Sequence, residues 1–182
     1  MLFFRSLMKS FSQCIILFGG SSEERMVSVA SAQNLSQHIP EALLWYWSKT
    51  GEIFEISSEE LKAHKNAFTS EFSPLGTAKY KSLESALPQM VDKKIIIGLH
   101  GTEGEDGTLQ KILEENNISY TGSNSQSSQL AFNKRLTKKL AFNHGLPVVY
   151  DLELTSFDEK DILELTIFFD KHKKGLFGGL IL

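Results

Sequence analysis

The chain has 182 residues, 41% hydrophobic and 23% charged, with a formal net charge of −3 and Cys14 as its one cysteine. This length allows one large domain or one domain plus part of another, and the composition excludes global disorder, a charge-driven polyanion-binding module, an internal disulfide framework and a cysteine-rich zinc site. No stretch approaches the roughly 20 apolar residues of a membrane span, and Ser10, Ser12 and Gln13 interrupt the apolar N-terminal run before it resembles a signal peptide, so a cytoplasmic protein without nucleic-acid or membrane partners is expected.

Residues 14–18 read as a short buried parallel strand, which Cys14 enters as a small apolar residue. Gly19-Gly20 turns the chain, and Ser21 or Ser22 caps a helix. Val27, Ala30, Leu35 and Ile39 are expected to form its apolar face before Pro40 ends it. Residues 42–48 form a second strand, with Trp45 and Trp47 packing on one face. A turn at 49–52 leads to a further strand at 53–56. The polar stretch 57–88 has weak periodicity, with a short helix at 58–65 and another near Leu83. Residues 94–99 are the clearest strand, Ile95-Ile96-Ile97 being continuous and β-branched. A helix over 106–116 turns Leu109, Ile112 and Leu113 inward, and a strand follows at 118–122. One long helix is predicted over 125–144, with Leu130, Leu136 and Leu140 on its apolar side and Gly145 as its cap. A strand at 148–154 and an amphipathic helix at 158–171 complete the pattern. Alternating strands and helices predict an α/β fold, a parallel sheet with helices on both faces.

Two loops concentrate the chemistry. Between the strand at 94–99 and the next helix, His100-Gly101-Thr102-Glu103-Gly104-Glu105-Asp106-Gly107 holds one histidine, three acids and three glycines. Glycines so close suit a loop that bends sharply and lets a ligand approach the backbone. Upstream, Gly19-Gly20-Ser21-Ser22-Glu23-Glu24-Arg25 repeats the plan of strand, glycine turn and acidic helix start. Both loops leave the C-terminal ends of strands, where open α/β sheets bind ligands, so one shared small-molecule site is predicted. Glu24 is either a helix-start acid stabilised by the dipole or a carboxylate for a ligand. His100 is either a satisfied structural histidine or a donor to an anion and proton shuttle. The spacing of His100, Glu103, Glu105 and Asp106 matches no metal signature, so no metal site is assigned; the acids are expected to cap the following helix. Lys134, in the run Asn133-Lys134-Arg135-Leu136-Thr137-Lys138-Lys139, belongs to a solvated basic face or contacts a phosphate. Neither a P-loop nor a Gly-x-Gly-x-x-Gly motif is present.

Taken in order, these segments resemble a known family. Leu17-Phe18-Gly19-Gly20-Ser21-Ser22-Glu23-Glu24-Arg25-Met26-Val27-Ser28 is similar to the first motif of D-alanine–D-alanine ligases. Leu99-His100-Gly101 with Gly104-Glu105-Asp106-Gly107-Thr108-Leu109-Gln110 is similar to the second. Tyr120-Thr121-Gly122-Ser123, Asn133-Lys134, Thr137-Lys138 and Gly145-Leu146-Pro147-Val148 continue the register. Met26 departs from the polar residue usual in the family.

The resemblance implies a Rossmann-like substrate domain over 1–131 and the beginning of an ATP-grasp domain over 132–182. It implies ATP-dependent joining of two D-alanines through an acyl phosphate for peptidoglycan. Glu24 would hold the ammonium of the first D-alanine, and His100 would lie by that substrate's carboxylate or the acyl phosphate. Val27 and Ser28 would line the same side, and Lys134 would contact ATP phosphates. ATP and Mg2+ are the implied cofactors and a homodimer the implied assembly. Residues 173–182 do not align with the family, and the counterparts of its magnesium ligands lie beyond this sequence, so the polypeptide alone is expected to be an incomplete ligase. The readings kept beside it are a non-catalytic remnant that binds a small ligand or a partner, and a ligase making D-alanyl-D-lactate.

Overall fold

Strand β1 (Cys14–Gly19) is buried along its whole length and is the centre of a five-stranded sheet. The computed structural model describes residues 14–172 except 150, 153, 155 and 157; the expected leader and the segment 173–182 lie outside the described residues. With β2 (Leu43–Trp47), β3 (Ile53–Ile56), β4 (Lys94–Ile97) and β5 (Ser119–Tyr120), the sheet order is β3-β2-β1-β4-β5. β1 pairs parallel with β2 and β4, and β4 pairs parallel with β5. β3 has its predicted bounds and β1 runs one residue further, whereas β2, β4 and most of all β5 are shorter than the patterns predict. The β2–β3 edge also departs from the all-parallel expectation, because these two strands are antiparallel. Their connection is a tight turn, closed by Ser48 N to Glu52 O at 2.8 Å and Gly51 N to Ser48 O at 3.0 Å, and so short a link can join only antiparallel strands.

Alternate residues of β1 serve opposite faces. Ile15 and Leu17 pack with Trp45, Ile53 and Ile95 against helices α3 (Leu83–Met90) and α4 (Thr108–Glu115). Trp47 packs against the same cluster, so the tryptophan pair is core, as its spacing predicts. Ile16 and Phe18 pack on the other face against α1 (Arg25–His38) and α2 (Ser58–Ala63). Helices thus cover both faces.

The buried face of α1 is the expected one only in part: Ala30 and Leu35 pack partly buried against the core. Val27 is 37% exposed, while Ser28, Val29, Ala32 and Ser36 are buried. Small side chains let the helix backbone lie close on the sheet, and the Ser28 hydroxyl makes the approach specific. It accepts from Gly19 N at 2.8 Å and donates to Gly98 O at 2.6 Å, joining α1 to the ends of two strands.

The predicted long helix at 125–144 is two helices, α5 (Ser125–Phe132) and α6 (Lys134–Asn143). Asn133 leaves helical geometry at ψ 95°, and its side chain accepts from Leu136 N at 3.0 Å, starting a new helix. Leu136 and Leu140 remain nearly half exposed instead of buried. Gly145, at φ 73°, ends α6 as expected: Gly145 N donates to Phe142 O and Leu146 N to Ala141 O, the paired bonds of a Schellman motif. Among the described residues of 148–154 no strand forms; positions 150 and 153 of that prediction lie outside them. α7 (Glu159–His172) matches its prediction and starts on Asp158, which accepts from Asp161 N at 2.9 Å. By internal contacts the chain divides into two units between 137 and 138. Among the described residues no helix is long and apolar enough to cross a membrane.

Glu114 ties three elements of the first unit. Its carboxylate accepts from Tyr120 Oη, Ser125 N and Ser125 Oγ, joining α4, β5 and α5. The Ser125 and Tyr120 bonds hold Glu114 below its ordinary 4.5, while desolvation and the bond to Glu114 push Tyr120 up to about 12. The folded chain therefore binds fewer protons at Glu114 and more at Tyr120 than the unfolded chain does. For these two groups, stability should be constant between pH 4.5 and 10.0, then fall as acid protonates Glu114 and as base ionises Tyr120; urea unfolding across that range, with Glu114→Gln flattening the acid limb, checks this. Ser28→Ala should lower stability by about 1–3 kcal/mol, because it leaves a buried donor and a buried acceptor unmet. The urea midpoint should drop with an unchanged slope.

Candidate functional site

The two chemistry-bearing loops meet at the C-terminal edge of the sheet. Gly19 carries φ 100° where a side chain would strike Trp47 O, a Cβ there lying 2.3 Å away. The turn can therefore be made only with glycine. Gly101, at φ 73°, brings the second loop against the first, with a Cβ there falling 2.3 Å from Ser22 Oγ. Glu103 then fastens the two: its carboxylate accepts from Ser21 N at 2.9 Å and from Ser21 Oγ at 2.8 Å. These bonds hold Glu103 at φ 69°, a conformation that costs a non-glycine residue energy.

None of the three acids expected to cap α4 holds its N-cap, which is Gly107; Asp106, one residue earlier, accepts from Thr108 N at 2.9 Å. Burial pushes its carboxyl up, but the donated bonds, chiefly from Thr108, outweigh that and hold it below its ordinary value. Glu103 and Glu105 do other work. Glu105 Oε1 stands 3.4 Å from Nδ1 of His100, and Nε2 of His100 lies 2.8 Å from Ser31 Oγ on α1. The imidazole is thus oriented from both nitrogens.

Glu24 occupies the N-cap position of α1 but spends no side-chain bond on capping. Its exposed carboxylate is left for another partner. Glu24, His100 and Glu105 each place a ligand atom within 4.8 Å of the others. The structure therefore brings together the two residues singled out in the sequence and adds Glu105 and Ser31. Glu24, Val27, Ser28 and Ser31 follow helical spacing on one side of α1. Val27 is partly exposed there, while Ser28 is fully buried with its hydroxyl engaged on both sides. Lys134 is not part of this group; it is exposed in the first turn of α6. Glu105 also lines an open cleft of about 310 Å³ with Leu99, Gly104, Gln110, Thr121 and Ser123.

Two carboxylates and an oriented imidazole beside a helix N-terminus suit a zwitterion. The carboxylates accept from an ammonium, and the imidazole with the positive helix end faces an anion. The same donors bear on a metal. One imidazole and two carboxylates do not suit Mg2+, which demands an all-oxygen octahedron.

Comparison with known proteins places the chain in a family. The family model described as D-ala D-ala ligase N-terminus matches residues 13–123. The chain belongs to this D-alanine–D-alanine ligase family. Among curated relatives of this family member, the D-alanine–D-alanine ligase of Herminiimonas arsenicoxydans is 32% identical over 156 residues, covering 84% of the chain and 38% of the relative. The bifunctional enzyme MurC/Ddl of Chlamydia trachomatis is 33% identical over 142 residues, 77% of the chain and 17% of the relative. Among solved structures, the D-alanine–D-alanine ligase of Coxiella burnetii superposes with a TM-score of 0.64 at 28% identity, covering 87% of the chain and 49% of that structure. The Helicobacter pylori ligase gives the same TM-score at 24% identity. The family member thus spans about 38% of the length of its first curated relative and about half that of the solved ligases.

Sequence reasoning missed Ser31 and the pairing of Glu105 with His100. Ser31 carried a usable signal, lying seven residues after Glu24 and so on the same helix face; the Glu105 pairing depends on how the 101–107 loop folds back. Glu103→Ala should cost about 1–2 kcal/mol by removing both ties between the loops. Amide exchange at Ser21 should accelerate while that of β1 is unchanged.

Proposed function

We propose that this chain is the substrate-binding portion of an ATP-dependent D-alanine–D-alanine ligase acting in peptidoglycan synthesis, with residues 1–131 as the substrate domain and 132–182 opening the ATP-grasp domain. The observation that carries the reading is the convergence of Glu24, His100 and Glu105 within 4.8 Å at the sheet edge. Glu24 accepts from the ammonium of the first D-alanine. His100, held by Ser31 and Glu105, stands beside that substrate's carboxylate and fixes where it lies. Val27 supplies apolar contact for the methyl group. Ser28 acts from below, keeping α1 and the two strand ends in register.

ATP supplies the phosphoryl group that activates the carboxylate. Lys134 would meet one of its phosphates: an exposed ammonium at a helix start, next to the capping Asn133, is a point charge without a rigid fork. Lys138, one turn on, is held 3.0 Å from Asp151. The Glu24–His100–Glu105 group does not fit Mg2+, so the described residues support no step through that ion. A cytoplasmic location and a homodimer accompany this reading.

D-alanine titrated into the isotope-labelled chain should shift the amides of Glu24 and His100. Glu24→Gln should weaken binding by about 1.5–3 kcal/mol, roughly tenfold to a hundredfold, the value of a charge-assisted bond. His100→Ala should weaken it similarly with the fold retained. An ADP-release assay with ATP, magnesium and D-alanine tests turnover. Unchanged D-alanine affinity in both variants would remove these residues from the site.

A further inference from the structure

Arg25 is the first residue of α1 and only 9% exposed. A cation there faces the positive end of the helix dipole, so the local choice is unfavourable and its compensation is informative. Nη1 donates to Ser22 O at 3.1 Å, and the backbone N of Arg25 donates to the same carbonyl at 3.1 Å. Two donors of one residue converge on one oxygen and close the turn 22–25. Glu24 holds the third position of that turn with φ −87° and ψ 9°, the geometry of a type I turn.

The guanidinium is held in turn from outside. Nη2 pairs with Glu71, and Glu23 Oε2 lies 3.9 Å from Nη1. Glu71 precedes Phe72, whose buried ring packs 5.1 Å from Tyr46 and 6.3 Å from Phe18. The Tyr46 hydroxyl donates to Phe72 O at 3.4 Å. The segment bearing Glu71 is therefore anchored in the core. Nε of Arg25 is buried with no hydrogen bond among the described residues. The carboxylate partner is exposed, so the pair is weak support for stability. What it provides is a fork that reaches a turn carbonyl and a distant carboxylate at once, which a lysine ammonium does not reproduce.

We propose that the Arg25–Glu71 pair is a positioning element that locks the 22–25 turn and so sets the Glu24 carboxylate for its amine. This rests on the reading of Glu24 given above. Neither residue touches substrate. Their effect passes through the Ser22 carbonyl, and an amine-binding carboxylate must be held to about 0.5 Å to act.

The test uses the labelled 182-residue chain and three variants: Arg25→Lys, Glu71→Gln, and the double variant Arg25→Glu with Glu71→Arg. Each is measured for urea stability, amide exchange at position 25 and D-alanine affinity. In the two single variants, exchange at position 25 should rise about tenfold and affinity fall about tenfold, with β1 exchange unchanged, as for one lost charge-assisted bond. The double variant should regain stability but neither other property, because it restores the ion pair without the donor to Ser22 O. Unchanged exchange at position 25 in both single variants, or recovery of all three properties in the double variant, overturns the proposal. If Arg25→Lys does not fold, Glu71→Gln on its exposed carboxylate makes the same comparison. A wild-type chain with no D-alanine response would sink the amine reading, and the exchange measurement would still decide whether the pair locks the turn.

Discussion

The Ser28 hydroxyl, wedged between Gly19 N and Gly98 O, is the bond on which the site depends. A two-way hydroxyl satisfies the outgoing ends of β1 and β4 and fastens both to one point on α1. Without it, two buried backbone groups would compete for water at the place where both functional loops begin. The small residues around it, Ala32 and Ser36, let the helix come near enough for the bond to form. Packing and hydrogen bonding here are one constraint: a bulkier face would hold the helix away, and the loops would lose their common reference.

From that junction the loops are built by successive ties. Glu103 bonds Ser21, Glu105 orients His100, and Ser31 meets the same imidazole from α1. Charge is arranged economically. Glu103 is consumed in structure and Asp106 in bonding Thr108 N, while the Glu24 carboxylate takes no bond from its own helix. The acids of the two loops thus resolve into separate duties, and the Glu24 carboxylate is left exposed.

Much of this architecture was legible in the sequence. Continuous apolar strands and glycine exits located β1 and β4, and the ordered motifs identified the family. The failures share a cause. The apolar stripe assigned to α1 holds at Ala30 and Leu35 but misses Val27, which is exposed, and the buried Ser28, Ala32 and Ser36, small residues that close packing on the sheet favours. Asn133 splits a strongly periodic stretch through one side-chain bond to Leu136 N, which periodicity does not register. The β2–β3 hairpin was visible in its short turn, yet strand–helix alternation elsewhere suggested parallel strands throughout. In the site, Glu24 and His100 stood out by position, while the partners of His100 depend on how the loop closes.

The two edges of the sheet are finished differently. On one side, residues 79 and 80 bond the outer backbone of β3 at Ile53. On the other, β5 is two residues long, and the Thr121 hydroxyl takes Ile97 N just beyond it. At Ile53 the edge backbone is thus already paired, and a strand added there would have to displace residues 79 and 80.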